Sequence, residues 1–284
     1  MARRRIVDEP TSRLALWARR CALFSLAATV LAILIVRSGI LEIVPALATF
    51  AGALLFAVIG IVLAFGAFIV IWKDGTSGMG HAVAAIAIGL ALNAYPAYLG
   101  VRAYNLPMIN DVTTDPIDPP RFDVLSRLRP RGTVEYAGLY AAEQQREAYP
   151  DIEPMLVSTT PQIAYEQMLA LINRRKWRVV VERPPQAPRR DGQIEAVART
   201  AIMGFRDDVA VRIRPAPDGA LIDVRSASRY GRHDLGANAT RIRALLEDID
   251  TRISEMAEER REQPKPKAPP AKGKPQPQAK RETR

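Results

Sequence analysis

The sequence predicts an α+β soluble domain, an antiparallel sheet of about four strands packed on helices, attached to an N-terminal three-helix transmembrane segment. Two observations lead to this fold class. Residues 14–101 are mostly apolar, whereas residues 107–284 are polar and rich in charge and proline. In the polar half, several short runs alternate apolar and charged residues, which is the period of a strand with one buried face.

The apolar part, residues 21–101, contains three runs, and a membrane span takes roughly 20 apolar residues. The runs predict spans over about 17–36, 43–72 and 81–101. No Asp, Glu, Lys or Arg lies inside the apolar runs 21–36, 43–72 and 81–101, which favours an anchor over an ion or proton path. Close packing of the helices is expected at four glycines: Gly52, Gly60, Gly66 and Gly89.

Basic residues flank the membrane part and predict its orientation. Residues 1–20 hold six arginines against two acidic residues, and such segments stay in the cytoplasm. Three spans then place the soluble domain on the opposite side, which in a bacterium is the periplasm. The expected location is therefore the bacterial inner membrane, with a multi-pass chain. If only two spans insert, the domain returns to the cytoplasm.

The net charge of +10 belongs to the two ends of the chain. Residues 1–20 carry a net +4 and residues 260–284 a net +7, so the remainder carries −1. A nearly neutral folded part argues against a nucleic-acid-binding face. The basic tail, residues 260–284, is rich in proline and lysine and poor in apolar residues, so it is expected to be disordered.

The soluble α+β domain is predicted over residues 107–259 and opens with the Asp- and Pro-rich segment 110–122. Asp111, Asp115 and Asp118 are of the type that binds calcium, but their spacing is not that of an EF-hand. The prolines favour an extended chain with turns that begin at aspartate.

Residues 130–155 indicate an irregular connection, with a possible strand at residues 133–136. A helix follows, with Thr160 as its N-cap and Pro161 as its first residue. Helical spacing gives it a buried stripe: Ala164, Met168 and Leu171.

Alternation predicts the four strands WRVVVE, QIEAVARTAIM, DVAVRIR and ALIDVRSAS. One face of the sheet is apolar: Ile194, Ala196, Ala198, Ile202, Val209, Val211, Ile213, Ile222 and Val224. The other face is charged: Glu195, Arg199, Arg212, Arg214, Asp223, Arg225 and Arg229. An antiparallel sheet with one face on helices fits this pattern.

The last helix is predicted to begin near Asp234 and to end at about Glu259. Its apolar residues have heptad spacing: Leu235, Ala239, Ile242, Leu246, Ile249, Ile253 and Met256. This seam can pack on the same domain or pair with another copy in a homo-oligomeric coiled coil.

Three stretches resemble the bacterial domain-of-unknown-function family number 1499 and occur in the expected order: NDVTTDPIDPP, DDVAVRIR and DVRSASRYGRHDLGANATRIR. The resemblance covers roughly residues 108–255. It implies an envelope-associated or membrane-linked domain and supplies no reaction.

The last of these stretches is a predicted strand, turn and helix with many arginines. Guanidinium groups and a helix N-terminus suit a carboxylate or phosphate. The possible anion or partner site consists of Arg212, Arg225, Ser228, Arg229, His233, Asn238 and Arg241. The alternative is a ladder of salt bridges in which Glu195 and Asp223 pair with the arginines.

The same stretch contains the residue types of a nucleophilic triad, Ser226 and Ser228 with His233 and Asp234. No G-x-S-x-G elbow accompanies them. No nucleotide-binding glycine loop, metal-ligand cluster or paired acid motif is evident, so no catalytic residue, cofactor or metal is assigned.

The sequence therefore favours a membrane-anchored cell-envelope domain that binds a protein or an anionic envelope component, without enzymatic activity. A hydrolase that uses the region from Ser226 to Asp234 is the alternative. The expected partners are the lipid bilayer and the envelope component, not nucleic acid, and a homo-oligomer is compatible with the last helix.

Overall fold

A computed structural model describes residues 9–39, 43–129, 138–186 and 191–262. The predicted strand at residues 133–136 and the tail beyond Glu262 lie outside the described residues. Three helices come first: α1 Arg13–Ser38, α2 Ile43–Asp74 and α3 Met79–Asn105. All three are long and apolar enough to cross a membrane, as predicted.

The three helices pack through small side chains, which let their backbones approach closely. The buried ones are Ala15, Ala18, Ala22, Ala64, Ala67, Ala82 and Ala85. A Cβ on Gly60 would lie 3.3 Å from the carbonyl oxygen of Ala18, and one on Gly89 would lie 2.6 Å from Ile61. A Cβ on Gly52 would meet nothing within 4 Å, so its predicted packing role is wrong.

The helices alternate in direction, so the ends of α1 and α3 lie together. Thr11, just before α1, bridges to Ser77 in the turn between α2 and α3. At the other end of the bundle, Arg37 of α1 and Ala103 of α3 both contact the soluble domain. The domain therefore lies at the end of the bundle opposite the N-terminal segment.

The domain is built on a six-stranded antiparallel sheet with the order β1-β6-β5-β4-β3, and β2 also pairs with β6. The strands are β1 Asp111–Thr113, β2 Met155–Val157, β3 Arg178–Arg183, β4 Gly192–Arg199, β5 Arg206–Ala216 and β6 Gly219–Ser228. The last four are the predicted strands. The expected count of about four is corrected to six, because β1 and β2 have three residues each, too few to show alternation.

Four helices complete the described part of the domain: α4 Leu125–Leu128, α5 Leu139–Ala148, α6 Pro161–Arg174 and α7 Ala237–Glu262. The Thr160 hydroxyl accepts the Ile163 N–H at 3.3 Å, which confirms the predicted cap of α6. Helix α5 replaces part of the irregular connection predicted there. Its sequence is rich in good helix formers but has little apolar periodicity, so the pattern did not reveal it.

Helices α6 and α7 cover the apolar face of the sheet. The core between them includes Met168, Ile172, Ile194, Val209, Val211, Ile213, Ile222, Val224, Ile242, Leu245 and Ile249. Alternation predicted this face correctly for the strand residues, with the exception of Ile202. That side chain is 41% exposed, because β4 ends at Arg199 and Ile202 lies in the following turn.

The charged face of the sheet is covered as well. Residues 114–129, called the strap below, follow β1, contain α4 and contact the charged side chains of β4, β5 and β6. The charged residues Glu195, Asp208 and Asp223 have no exposed surface. Most of the charged face therefore lies in the interior, whereas Arg199 at its edge is exposed.

Candidate functional site

The strand-turn-helix of residues 223–246 sends polar side chains to both faces of the sheet. Arg225 and Arg229 lie on the side of the strap, whereas Ser226 and Ser228 lie on the side of α7 because successive strand residues point in opposite directions. Two separate polar clusters result.

Under the strap, Arg225 forms a two-pronged ion pair with Asp111. Its Nε and Nη2 atoms donate to the two carboxylate oxygens at 3.0 and 2.7 Å, and Nη1 donates to the carbonyl oxygen of Pro120 at 3.2 Å. The ring of Phe122 lies 4.6 Å from the guanidinium carbon. Burial raises the pKa of Asp111, against the opposing effect of Arg225.

Asp208 is the second buried carboxylate of this face. Arg229 donates to its Oδ1 from Nε at 2.9 Å and from Nη2 at 2.7 Å, while Arg129 of the strap donates to Oδ2 at 2.9 Å. One carboxylate therefore holds arginines from the sheet and from the strap.

Arg212 connects three carboxylates, and two of them belong to the strap. Its guanidinium donates to Asp223 at 3.1 Å, to Asp118 at 2.7 Å and to Asp115 at 3.2 Å. Arg212 lowers the pKa of the exposed Asp118, whereas burial raises that of Asp223. The Oδ1 atom of Asp115 also accepts the N–H groups of Ile117 and Asp118, which is the predicted turn initiated by aspartate.

Glu195 has a different role from the one that the salt-bridge alternative gave it. Its carboxylate accepts backbone N–H groups of Asp123, Val124 and Leu125 at 2.7, 3.2 and 2.9 Å, at the start of α4. No arginine is among its partners in the described part of the chain. Asp223 does pair with arginines, Arg212 and Arg214.

On the other face, Asn238 at the start of α7 joins the two serines. The Ser226 hydroxyl donates to Asn238 Oδ1 at 2.8 Å, and Asn238 Nδ2 donates to the Ser228 hydroxyl at 3.1 Å. Arg241 donates to Ser226 at 2.8 Å and pairs with Asp207. Burial raises the pKa of Asp207, although Arg241 opposes this.

Asp234 caps α7 next to this cluster. Its two oxygens accept the N–H groups of Gly236 and Asn238, each at 2.8 Å. Burial raises the pKa of the Asp234 carboxyl more than these hydrogen bonds lower it. The helix N-terminus considered for an anion is thus occupied by a side chain of the protein itself.

His233 belongs to neither cluster. Its Nδ1 accepts the N–H of Leu235 at 3.0 Å, and its Nε2 lies 3.1 Å from the carbonyl oxygen of Ala103 in α3. Neither Ser226 nor Ser228 is among its hydrogen-bond partners. The residue types of the triad are therefore close in sequence, but the histidine points to the membrane helix.

The structure distributes the residues of the predicted site over three places. Three arginines lie under the strap, His233 contacts α3, and the rest lie beside α7: Ser228, Asn238 and Arg241. Binding of an anion or partner by these residues stays a prediction. Within the described ranges, no group of three or more His, Cys, Asp or Glu residues could hold a metal ion.

The junction between domain and anchor contains residues that sequence reasoning did not select. Arg37, at the end of α1, donates from Nη1 to the carbonyl oxygens of Ala201 and Ile202 at 2.6 and 2.9 Å. Its partners lie more than 160 residues away in sequence, and the only local signal was a basic residue at the end of a span.

One protein-family model, described as a protein of unknown function (DUF1499), matches residues 111–249. No curated protein matches the chain. The matched range begins at β1 and ends within α7, so it contains the sheet, the strap and both polar clusters, and it excludes the three apolar helices.

Proposed function

We propose, from the premise that residues 111–249 belong to the DUF1499 family, that the chain is a membrane-anchored interaction module of the bacterial cell envelope. Three spans hold the domain on the periplasmic face of the inner membrane, where it binds an anionic envelope component. The function is one of position and recognition, without a chemical step.

The docking of the domain on the end of the helical bundle carries this proposal. Contacts to both α1 and α3 support it: Arg37 bonds the turn after β4, and His233 bonds Ala103. Gly236 has φ +75°, and a Cβ there would lie 2.7 Å from Nη2 of Arg102 in α3. These contacts fix the orientation of the domain on the helical bundle, so the same end of the domain always faces the bilayer. A fixed orientation suits a module that works at the membrane surface.

The hydrolase alternative has less support in the contacts. A serine nucleophile needs a base within hydrogen-bond reach, whereas Ser226 and Ser228 bond Asn238, and the ring of His233 bonds other groups. Neutralisation of the buried arginines by internal carboxylates also gives these clusters a structural use. These observations favour binding over catalysis.

The side of the membrane is tested with reporter fusions to the full chain. A reporter that is active only in the cytoplasm should be silent after Arg284, and one that is active only in the periplasm should be active there. A fusion after Gly75, between α2 and α3, is the matched control and should give the opposite pair of results. Cytoplasmic activity at both points would refute the periplasmic location.

Partner binding is tested by crosslinking the full chain in intact membranes and identifying what is captured by mass spectrometry. A chain that ends after Leu106 keeps the three helices and serves as the control. We expect anionic envelope material to be captured by the full chain only. Equal capture by both chains would contradict a binding role for the domain.

A further inference from the structure

The turn between β4 and β5, residues 200–205, is a closed and internally bonded structure. The N–H of Thr200 donates to the carbonyl oxygen of Phe205 at 2.9 Å, and the N–H of Phe205 donates to the Thr200 hydroxyl at 2.9 Å. Gly204 donates to the Thr200 carbonyl at 3.1 Å. These hydrogen bonds fix the backbone conformation of the turn, and with it the positions from which its side chains project.

This turn sits on the end of α1. Besides the two hydrogen bonds from Arg37, Gly204 has φ +71°, and a Cβ there would lie 3.1 Å from Cγ of Arg37. Gly39, the C-cap of α1, has φ +69°, and a Cβ there would lie 3.2 Å from Nη2 of Arg206. The apolar part of α1 ends at Val36. The turn therefore lies where the first span leaves the hydrocarbon layer.

Three exposed arginines surround the turn: Arg37 on α1, Arg199 at the end of β4 and Arg206 at the start of β5. Arg199 and Arg206 are directly opposite each other in the pairing of the two strands. Like charges in that position repel. None of the three forms a salt bridge among the residues that the structure describes, in contrast to the arginines under the strap.

The tip of the turn is apolar. Ala201 and Ile202 are exposed, Met203 and Phe205 are half-buried, and the tip contains no charged residue. An apolar tip beside guanidinium groups is amphipathic in the way that interfacial segments are, with the apolar part at the acyl boundary and the cations at the level of the phosphates.

We propose that Arg37, Arg199 and Arg206, with the apolar tip 201–205, bind the phosphate of an anionic phospholipid headgroup. The guanidinium groups can donate hydrogen bonds to the phosphate, and the apolar tip can contact the acyl chains. A free phosphate has no acyl chains, so the tip favours a lipid as the ligand. The inference rests on the binding part of the proposed function and names its ligand class. It does not depend on the side of the membrane that the domain occupies, because the site is defined by its position at the end of α1.

The test uses the full chain in lipid nanodiscs of phosphatidylcholine with increasing phosphatidylglycerol, and native mass spectrometry counts the lipids that stay bound. The double variant R199Q/R206Q should lose about tenfold in its preference for phosphatidylglycerol. R127Q/R146Q removes two exposed arginines elsewhere and should keep the preference. R199K/R206K retains the charge and should keep most of it.

Three results would overturn the inference: an unchanged preference in R199Q/R206Q, an equal loss in R127Q/R146Q, or displacement of the lipid by inorganic phosphate at millimolar concentration. The last would identify a free phosphate as the ligand. An unchanged melting temperature of R199Q/R206Q excludes unfolding as the cause of a loss. Failure of the proposed function is seen separately, in the reporter fusions and the crosslinking control.

Discussion

The two faces of the sheet are buried by opposite chemistry. Helices α6 and α7 cover one face with aliphatic side chains such as Ile194 and Ile222, which have no exposed surface. The strap covers the other face with ion pairs and with one apolar side chain, that of Leu125, which is also fully buried. The two faces therefore do not differ in burial alone. They differ in the partners of the buried groups, which are aliphatic on one face and ionic on the other.

This difference predicts different responses to mutation. An aliphatic core loses stability in proportion to the volume removed. A buried ion pair adds little net stability when complete, because desolvation offsets the attraction between the charges, but removal of one partner leaves a charge buried without compensation. The charged face should therefore be the more sensitive of the two to single changes, and the less sensitive to replacement of a whole pair.

The largest effect is expected for Arg225→Gln, which leaves Asp111 buried without its cation. The free energy of unfolding should fall by about 3–5 kcal/mol. Thermal unfolding of the full chain in detergent measures the loss. A loss as small as that of an exposed arginine variant, R127Q, would show that water reaches the Arg225–Asp111 pair. The predicted difference in sensitivity between the two faces would then be wrong.

The matched control replaces both partners, with Asp111→Leu and Arg225→Met in one chain. Apolar pairs of similar volume often restore stability to that of the buried ion pair or above it. We therefore expect the double variant to unfold above Arg225→Gln. A double variant less stable than Arg225→Gln would mean that the other contacts of these residues dominate.

Next in size is Glu195→Gln, which is aimed at the attachment of the strap. The carboxylate accepts three backbone N–H groups, and an amide has only one oxygen to offer them. Loss of a hydrogen bond to a charged group costs about 1.5–3 kcal/mol. Hydrogen exchange should also rise in residues 123–125 before the rest of the domain. Uniform exchange would show that the strap and the sheet open together.

Sequence periodicity predicted the apolar face, the four long strands, α6 and most of α7, because each has a regular repeat. It did not predict the strap, whose prolines and aspartates have no period. The partners on the charged face are also far apart in the chain, as with Arg225 and Asp111, which are 114 residues apart. Nothing local in the sequence relates them.

The polar cluster beside α7 did leave a signal in the sequence. Ser226 and Ser228 continue the alternation of Ile222 and Val224, so they occupy positions where apolar side chains were expected. A hydroxyl at such a position needs a buried hydrogen-bond partner. Periodicity could indicate that a partner is required, but it could not identify the partner. That partner is Asn238, at the start of the next helix.

A smaller effect is expected on the apolar face for Ile222→Val. The change removes one methyl group from a fully buried side chain and keeps a residue that favours strands. The expected loss is about 0.5–1.5 kcal/mol in the free energy of unfolding. Denaturant titration of the same preparation measures it. A loss above that of Glu195→Gln would reverse the expected order of the two faces.

The smallest effect is expected for an ion pair that lies on neither face. Arg243 of α7 donates to both oxygens of Asp151 at 2.5 and 2.7 Å, but both side chains are about half exposed, at 43% and 54%. Exposed pairs contribute about 0–1 kcal/mol. Asp151→Asn should therefore lower the melting temperature slightly, if at all.

The pH dependence of this small effect has a definite sign. Arg243 lowers the pKa of Asp151, so the pair contributes stability above the pKa of the unfolded chain, about 3.9. That contribution is lost as the pH falls through the folded-state value, because the carboxyl is then protonated in both states. The difference in melting temperature between the wild-type chain and Asp151→Asn should accordingly be constant from pH 7 to 5 and vanish in stronger acid. Asp207, whose pKa burial raises, should behave in the opposite way: its contribution is largest in acid and declines as the pH rises. A difference for Asp151→Asn that grew on acidification would mean that this exposed carboxyl titrates like the buried Asp207, and the predicted contrast between exposed and buried carboxylates would then be wrong.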